Sequence, residues 1–268
     1  MNARDLSEGD VAAAWDRNAD RWADCVQSGY DMYRELYTFP AFRAFMPEIA
    51  GASVIDLGCG EGSNTRRFAE LGGRMTGIDI SEALIGRARA AEAREPLGIR
   101  YEVCSFSRIA FAEPGAFDCA LSTMALMDGP DFAGAMAEAH RVLVPGGTLC
   151  FSVTHPCFMT RLFEWLHTDD GDYAGIKVGR YFDRSHFVEH WRFGKHPESS
   201  LMEPFEVPRF PRTLSDYVNA VSDAGFRIIR LNEPRPDDVA AAAHGWLARW
   251  RDHVPLVLFV MARKEGGP

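Results

Sequence analysis

The sequence predicts an α/β protein built on a doubly wound, mostly parallel sheet, and three observations carry that expectation. The apolar pair Val54 and Ile55 leads into Asp56 and Leu57, and glycines follow at positions 58, 60 and 62 before a helical stretch over 63–71. A second apolar run over 74–78 ends at Asp79, and Ser81 then stands as the N-cap of a helix reaching position 94. Further short apolar runs alternate with helical patterns along the chain, as strand–helix–strand units require.

Taken in order, residues 11–25 carry Trp15 and Trp22 among alanines at near-helical spacing. The stretch 29–45 is rich in aromatics, among them Tyr30, Tyr33, Tyr37, Phe39, Phe42 and Phe45, which suit either a core or a pocket wall. In the turn after the first strand, glycines permit positive φ and leave no Cβ between backbone and ligand. Asp79 ends the second strand where nucleotide-binding units place a carboxylate on ribose hydroxyls. The turn reads G-x-G-x-G rather than G-x-G-x-x-G, and Asp56 stands at its entrance. A pyrophosphate wants a helix N-terminus facing it, so this carboxylate suits a cationic ligand better.

Residues 99–104 read as the third strand and 117–122 as the fourth, whose end at 122–128 should face the ligand crevice. Gly129-Pro130-Asp131 breaks the chain before a helix over 132–143, and 148–154 forms the fifth strand with His155 directly behind it. From 159 to 211 the pattern loosens; a bare loop of that length is improbable, so short helices or a hairpin are expected. A helix over 212–224 and strands over 225–231 and 254–262 follow.

At the spaced motifs 54–62, 77–81, 117–122 and 141–147 the chain resembles the class I S-adenosylmethionine (SAM)-dependent methyltransferases, in the branch of the ubiquinone/menaquinone-biosynthesis type that acts on small molecules. The resemblance implies a Rossmann-like, seven-stranded sheet with its last strand antiparallel between the fifth and sixth. It implies one methyltransferase domain over 1–268, made of an N-terminal helical cap (1–50), a cofactor-binding core (51–155), an inserted lid (156–211) and a C-terminal part of the core (212–268). The cofactor implied is SAM, leaving S-adenosylhomocysteine as product.

Mapped onto this sequence, the cofactor residues are Asp56, Gly58, Cys59, Gly60 and Asn64 at the turn, and Asp79 and Ile80 after the second strand. Ser105 and Phe106 take the adenine end, where the family often has an acidic residue that this chain lacks; Thr123 and Tyr33 complete the set. Tyr30, Met124, Met127, His155 and Trp191 are the acceptor-binding candidates, and His155, Tyr30 and His186 the catalytic ones. A base is needed only where the acceptor must lose a proton.

The net charge of −9 argues against nucleic acid, which usually requires a basic patch, although a tRNA base is the alternative acceptor. No apolar run is long enough to span a bilayer, and residues 1–10 are polar and acidic, unlike a signal peptide; a cytoplasmic protein is expected, with a homodimer open. The six cysteines show no Cys-x-x-Cys spacing and read as buried thiols. His186 to His190 spells H-x-x-E-H, a metallohydrolase pattern if it lies on a helix, but no further ligand is identifiable and no metal is expected. A SAM-binding protein without turnover and an NAD-linked oxidoreductase are the other readings; the latter lacks a second nucleotide-binding half.

Overall fold

The computed structural model describes residues 5–194 and 196–266. The chain opens with α1 (Glu8–Gln27), begun by a reciprocal capping box: Asp10 N–H donates to Ser7 Oγ, and Ser7 N–H donates to the Asp10 carboxylate. A π-helical turn, Arg34–Thr38, runs into α2 (Phe39–Phe45). Then come β1 (Ser53–Leu57), α3 (Ser63–Glu70), β2 (Arg74–Asp79), α4 (Glu82–Arg94) and β3 (Arg100–Val103). They are followed by β4 (Phe117–Thr123), α5 (Phe132–Val142) and β5 (Leu143–Thr154).

The insertion holds two antiparallel hairpins, β6 (Leu162–His167) with β7 (Tyr173–Gly179) and β8 (Phe187–Trp191) with β9 (Phe205–Arg209). The chain closes with α6 (Leu214–Asp223), β10 (Phe226–Asn232), α7 (Asp238–Ala243), α8 (Ala248–Asp252) and β11 (Val257–Lys264). The helices α7 and α8 lie in an alanine-rich stretch whose His244-Gly245 interruption hid them from a periodicity reading.

The main sheet runs β10–β11–β5–β4–β1–β2–β3; β11 is antiparallel to both neighbours and the other six strands are parallel. Successive strand residues point to opposite faces, so one side of the sheet buries Ile55, Ala120 and Phe151 against α5 and α6. The other side buries Val54, Cys119, Cys150 and Phe259 with Phe42 of α2. Strand order reverses between β1 and β4, which opens a crevice at their C-terminal ends.

α1 lies across this edge. Asn18 Nδ2–H donates to Glu206 O on β9 (2.9 Å), and Ser81 Oγ–H and Ala83 N–H donate to Asp16 (2.6 and 3.0 Å). Trp22 sits among Trp191, Phe193 and Phe205, with ring centroids 5.1–5.4 Å away. The six cysteines are free, four of them buried. Among the described residues no helix is long and apolar enough to cross a membrane.

Candidate active site

A cavity of about 460 Å³ occupies the crevice, within the size range of small-molecule sites. Its floor is the glycine turn. Gly60 has φ +58°, and a Cβ placed on it would meet nothing within 4 Å, so bare backbone faces the cavity. At Gly58 (φ +76°) a Cβ would lie 2.3 Å from that of Ala125; this glycine serves the packing of the turn.

Asp79 locks turn and strand together. Its Oδ2 accepts from Gly60 N–H and its Oδ1 from Ser81 N–H, both at 2.9 Å. Burial pushes its pKa up to about 6 against these two donors. Cys59, Asn64, Ile80, Ser105, Phe106, Thr123, Met124, Met127, Tyr33 and Trp191 all join it on the wall. Asn64 Nδ2–H bonds Thr123 Oγ1 at 2.9 Å. The Tyr33 hydroxyl accepts from Arg249 Nη2–H (2.9 Å) and Trp250 Nε1–H (3.2 Å).

Four expected residues lie elsewhere. Asp56 is fully buried beneath the turn rather than on the cavity wall: Oδ2 accepts from Thr65 Oγ1 at 2.6 Å, Oδ1 has no partner among the described residues, and burial pushes the group up to about 7. His155 is 2% exposed and also off the wall. Its Nδ1 accepts from Cys157 N–H (3.3 Å), so Nε2 carries the proton and donates to Glu233 (2.7 Å). Both ring nitrogens are spent on structure, so the geometry does not offer His155 as a base to this cavity. Tyr30 packs edge-on against His196 (4.5 Å) and lines a smaller neighbouring cavity.

His186 precedes β8 and faces Asp5 at 3.9 Å, outside the cavity. The H-x-x-E-H run is a strand and its approach, not a helix. His190 is exposed beside Glu206, while Glu189 points the other way and accepts from Arg209 Nε–H at 2.6 Å. Alternation along the strand thus separates the histidines' surroundings from that of the glutamate. Among the described residues no three His, Cys, Asp or Glu side chains group as a metal site.

The cavity also has walls that sequence patterns did not single out. Glu8 accepts from Ser105 Oγ–H (2.7 Å) and from Ser107 Oγ–H, which brings a carboxylate of α1 to the place after β3. Glu8, Val11, Trp15 and Trp22 recur at helical spacing, so one stripe of α1 faces the cavity; the apolar members were legible, the acidic one was not. Arg34 sits among Asp31, Glu35 and Glu61 at 2.9–4.0 Å. Arg209 is clasped between Asp128 and Glu189, and burial pushes Asp128 up to about 6 despite this cation.

The open face of Gly60, the Asp79 carboxylate beside it and the excess of carboxylates around the wall match a ligand with a ribose and a positive charge. SAM has both, so the residues present fit it.

Residues 55–151 match a family model described as a methyltransferase domain. A SAM-dependent methyltransferase from Mesorhizobium loti, known as a crystal structure, is 32% identical, covers 84% of this chain and 96% of its own, and has a TM-score of 0.68. The ubiquinone biosynthesis O-methyltransferase of Methylococcus capsulatus is 36% identical over 164 residues, which are 61% of this chain and 62% of that protein. The 1,6-didemethyltoxoflavin-N1-methyltransferase of Burkholderia thailandensis, at 18% identity and a TM-score of 0.57, shares the fold over 99% of this chain and 93% of its own.

Proposed function

Because the chain belongs to the SAM-dependent methyltransferases, we propose that it methylates a small, partly apolar molecule held beneath α1 and the two hairpins. One observation carries this reading: beyond the glycine turn the same cavity is walled by Phe39, Phe42, Met124, Met159, Trp250 and Leu256, an apolar surround of the kind that small-molecule sites have. The Methylococcus relative is named for transfer to oxygen, which makes a hydroxyl the first acceptor to test.

When bound, SAM supplies a methyl group activated by its sulfonium. In our reading Asp79 accepts the two ribose hydroxyls with the lone pairs that Gly60 and Ser81 leave free. Glu8 accepts from the adenine amino group, in place of the acidic residue absent after β3, and Ser105 and Ser107 hold it there. Glu61 and Asp31 favour a cation in the cavity. The apolar wall orients the acceptor and excludes water, which is where catalysis of an in-line displacement largely comes from. The two hairpins of 156–211 act as the lid.

SAM consumption across a panel of phenolic, amine and carboxylate metabolites, with mass spectrometry of the products, tests the reading. Turnover on tRNA alone would overturn it. Glu8→Ala should weaken SAM binding by about 1.5–3 kcal/mol, the range for a hydrogen bond to a charged group. Ser105→Ala should cost less, since Ser107 still holds Glu8; calorimetry that ranks the two the other way would give the adenine contact to Ser105.

His155→Ala should spare the chemistry. Loss of a general base lowers kcat by about 10²–10⁴-fold; this variant should show no such loss on a hydroxyl acceptor. It should instead lose about 1–3 kcal/mol of stability through the Glu233 hydrogen bond and the space left behind. Thermal unfolding beside turnover separates the two outcomes.

A further inference from the structure

At Asp31, Tyr33 and Trp191 the main cavity shares its wall with a second one of about 250 Å³. Tyr30, Phe193 and Trp246 supply the apolar part of this second cavity, and Arg249 and Arg192 its cations. The arginines of the main cavity are neutralised: Arg34 by Asp31, Glu35 and Glu61, Arg209 by Asp128 and Glu189. Arg249 pairs with no carboxylate among the described residues. It donates from Nη1 to the Tyr173 hydroxyl and from Nη2 to that of Tyr33, both at 2.9 Å, and its buried Nε has no acceptor among the described residues. Its guanidinium lies 5.2–5.4 Å from the ring centroids of Trp165, Tyr173 and Trp250.

Arg192 is exposed and, among the described residues, donates to a carbonyl, Met202 O, at 2.9 Å. Asp31, the one carboxylate among the described residues of this wall, is turned to Arg34, from whose backbone N–H it accepts at 3.2 Å. A secluded cation without a counter-charge is costly, and aromatic faces offset only part of that cost. In a chain of net charge −9, Arg249 on the wall of an apolar cavity, with the exposed Arg192 beside it, marks a place for an anion.

We propose that the second cavity takes the carboxylate of the methyl acceptor, which makes the acceptor a small aromatic or apolar organic acid and Arg249 a specificity-determining residue. This rests on the small-molecule acceptor proposed above and narrows its class. The planar guanidinium suits a carboxylate, and the rings of Tyr30, Tyr33, Phe193 and Trp246 suit an apolar body rather than a bare inorganic ion.

The test titrates the full chain, saturated with S-adenosylhomocysteine, with 4-hydroxyphenylacetate and with its uncharged amide, read by tryptophan fluorescence. The acid should bind at least about tenfold more tightly than the amide. Arg249→Gln should erase that preference and Arg249→Lys should keep part of it. Calorimetry with S-adenosylhomocysteine should give the same affinity for both variants as for the unsubstituted chain. If Arg249→Gln fails to bind it, the variant is misfolded and the comparison rests on Arg249→Lys and the unsubstituted chain. Equal binding of acid and amide, no saturable binding of the acid, or an undiminished preference in Arg249→Gln overturns the proposal. Displacement of the acid by an equal concentration of inorganic phosphate also overturns it. Failure of the unsubstituted chain to bind S-adenosylhomocysteine is a separate result, and overturns the cofactor placement instead.

Discussion

Gly60→Val should abolish SAM binding while leaving the protein folded. The residue has φ +58°, where a β-branched side chain is strained by about 1–3 kcal/mol, yet its Cβ would meet no protein atom within 4 Å. The new side chain therefore projects into the cavity and takes space that a ligand needs. An affinity loss of at least about a hundredfold is expected in calorimetry, with thermal unfolding still cooperative. Gly58→Val would read differently, because its Cβ collides with Ala125 and the turn itself must move. Near-normal SAM affinity in folded Gly60→Val would take the cofactor away from this turn.

Asp79→Ala should cost SAM binding about 1.5–3 kcal/mol or more, since one carboxylate accepts two ribose hydroxyls in our reading and the Gly60 and Ser81 N–H groups lose their acceptor as well. It also makes a pH prediction with a definite sign. Burial raises the folded carboxyl from 3.8 to about 6, so the folded state holds a proton that the unfolded chain has released. This group's contribution to stability is complete below pH 3.8 and is lost as pH rises through 6. SAM needs the ionised form as acceptor, so its affinity should rise over the same interval. Asp79→Ala should flatten that rise; a pH profile unchanged in the variant would assign it to another carboxylate.

The parts of the fold carried by periodicity and punctuation were legible. Apolar runs, the glycine turn and Ser81 marked β1, β2 and the helices between, and the family resemblance supplied the antiparallel last strand found at β11. Strand register told which strand ends face the crevice, and the family resemblance supplied the residues expected there at the ends of β1, β2 and β4, most of which line the cavity. What stayed hidden depends on contacts between distant segments. Glu8 meets Ser105 across 97 residues and Arg209 meets Asp128 across 81, and neither pairing has a local signal. His155 shows the converse. Register put it at the right strand end, but the partners of its ring nitrogens, Cys157 and Glu233, turn it away from the crevice.

The stripe of α1 that faces the cavity bears on how the protein is handled as well as on what it binds. Trp15 and Trp22 lie on that stripe, and the helix is held to the core by buried Val11, Ala14, Ala19, Ala23 and Val26 as well as by polar contacts such as Asp16 with Ser81 and Asn18 with Glu206. As the first element of the chain, outside the main sheet, it opens at less cost than the whole domain unfolds. Each opening bares an indole-rich helix face, the kind of surface through which chains adhere to one another. In our reading Glu8 ties a bound adenosyl ligand to this helix and so holds the face down, and the ligand-free protein should be the form that clumps on concentration. Light scattering with and without S-adenosylhomocysteine should show it, and colloidal behaviour becomes a second reporter of cofactor occupancy.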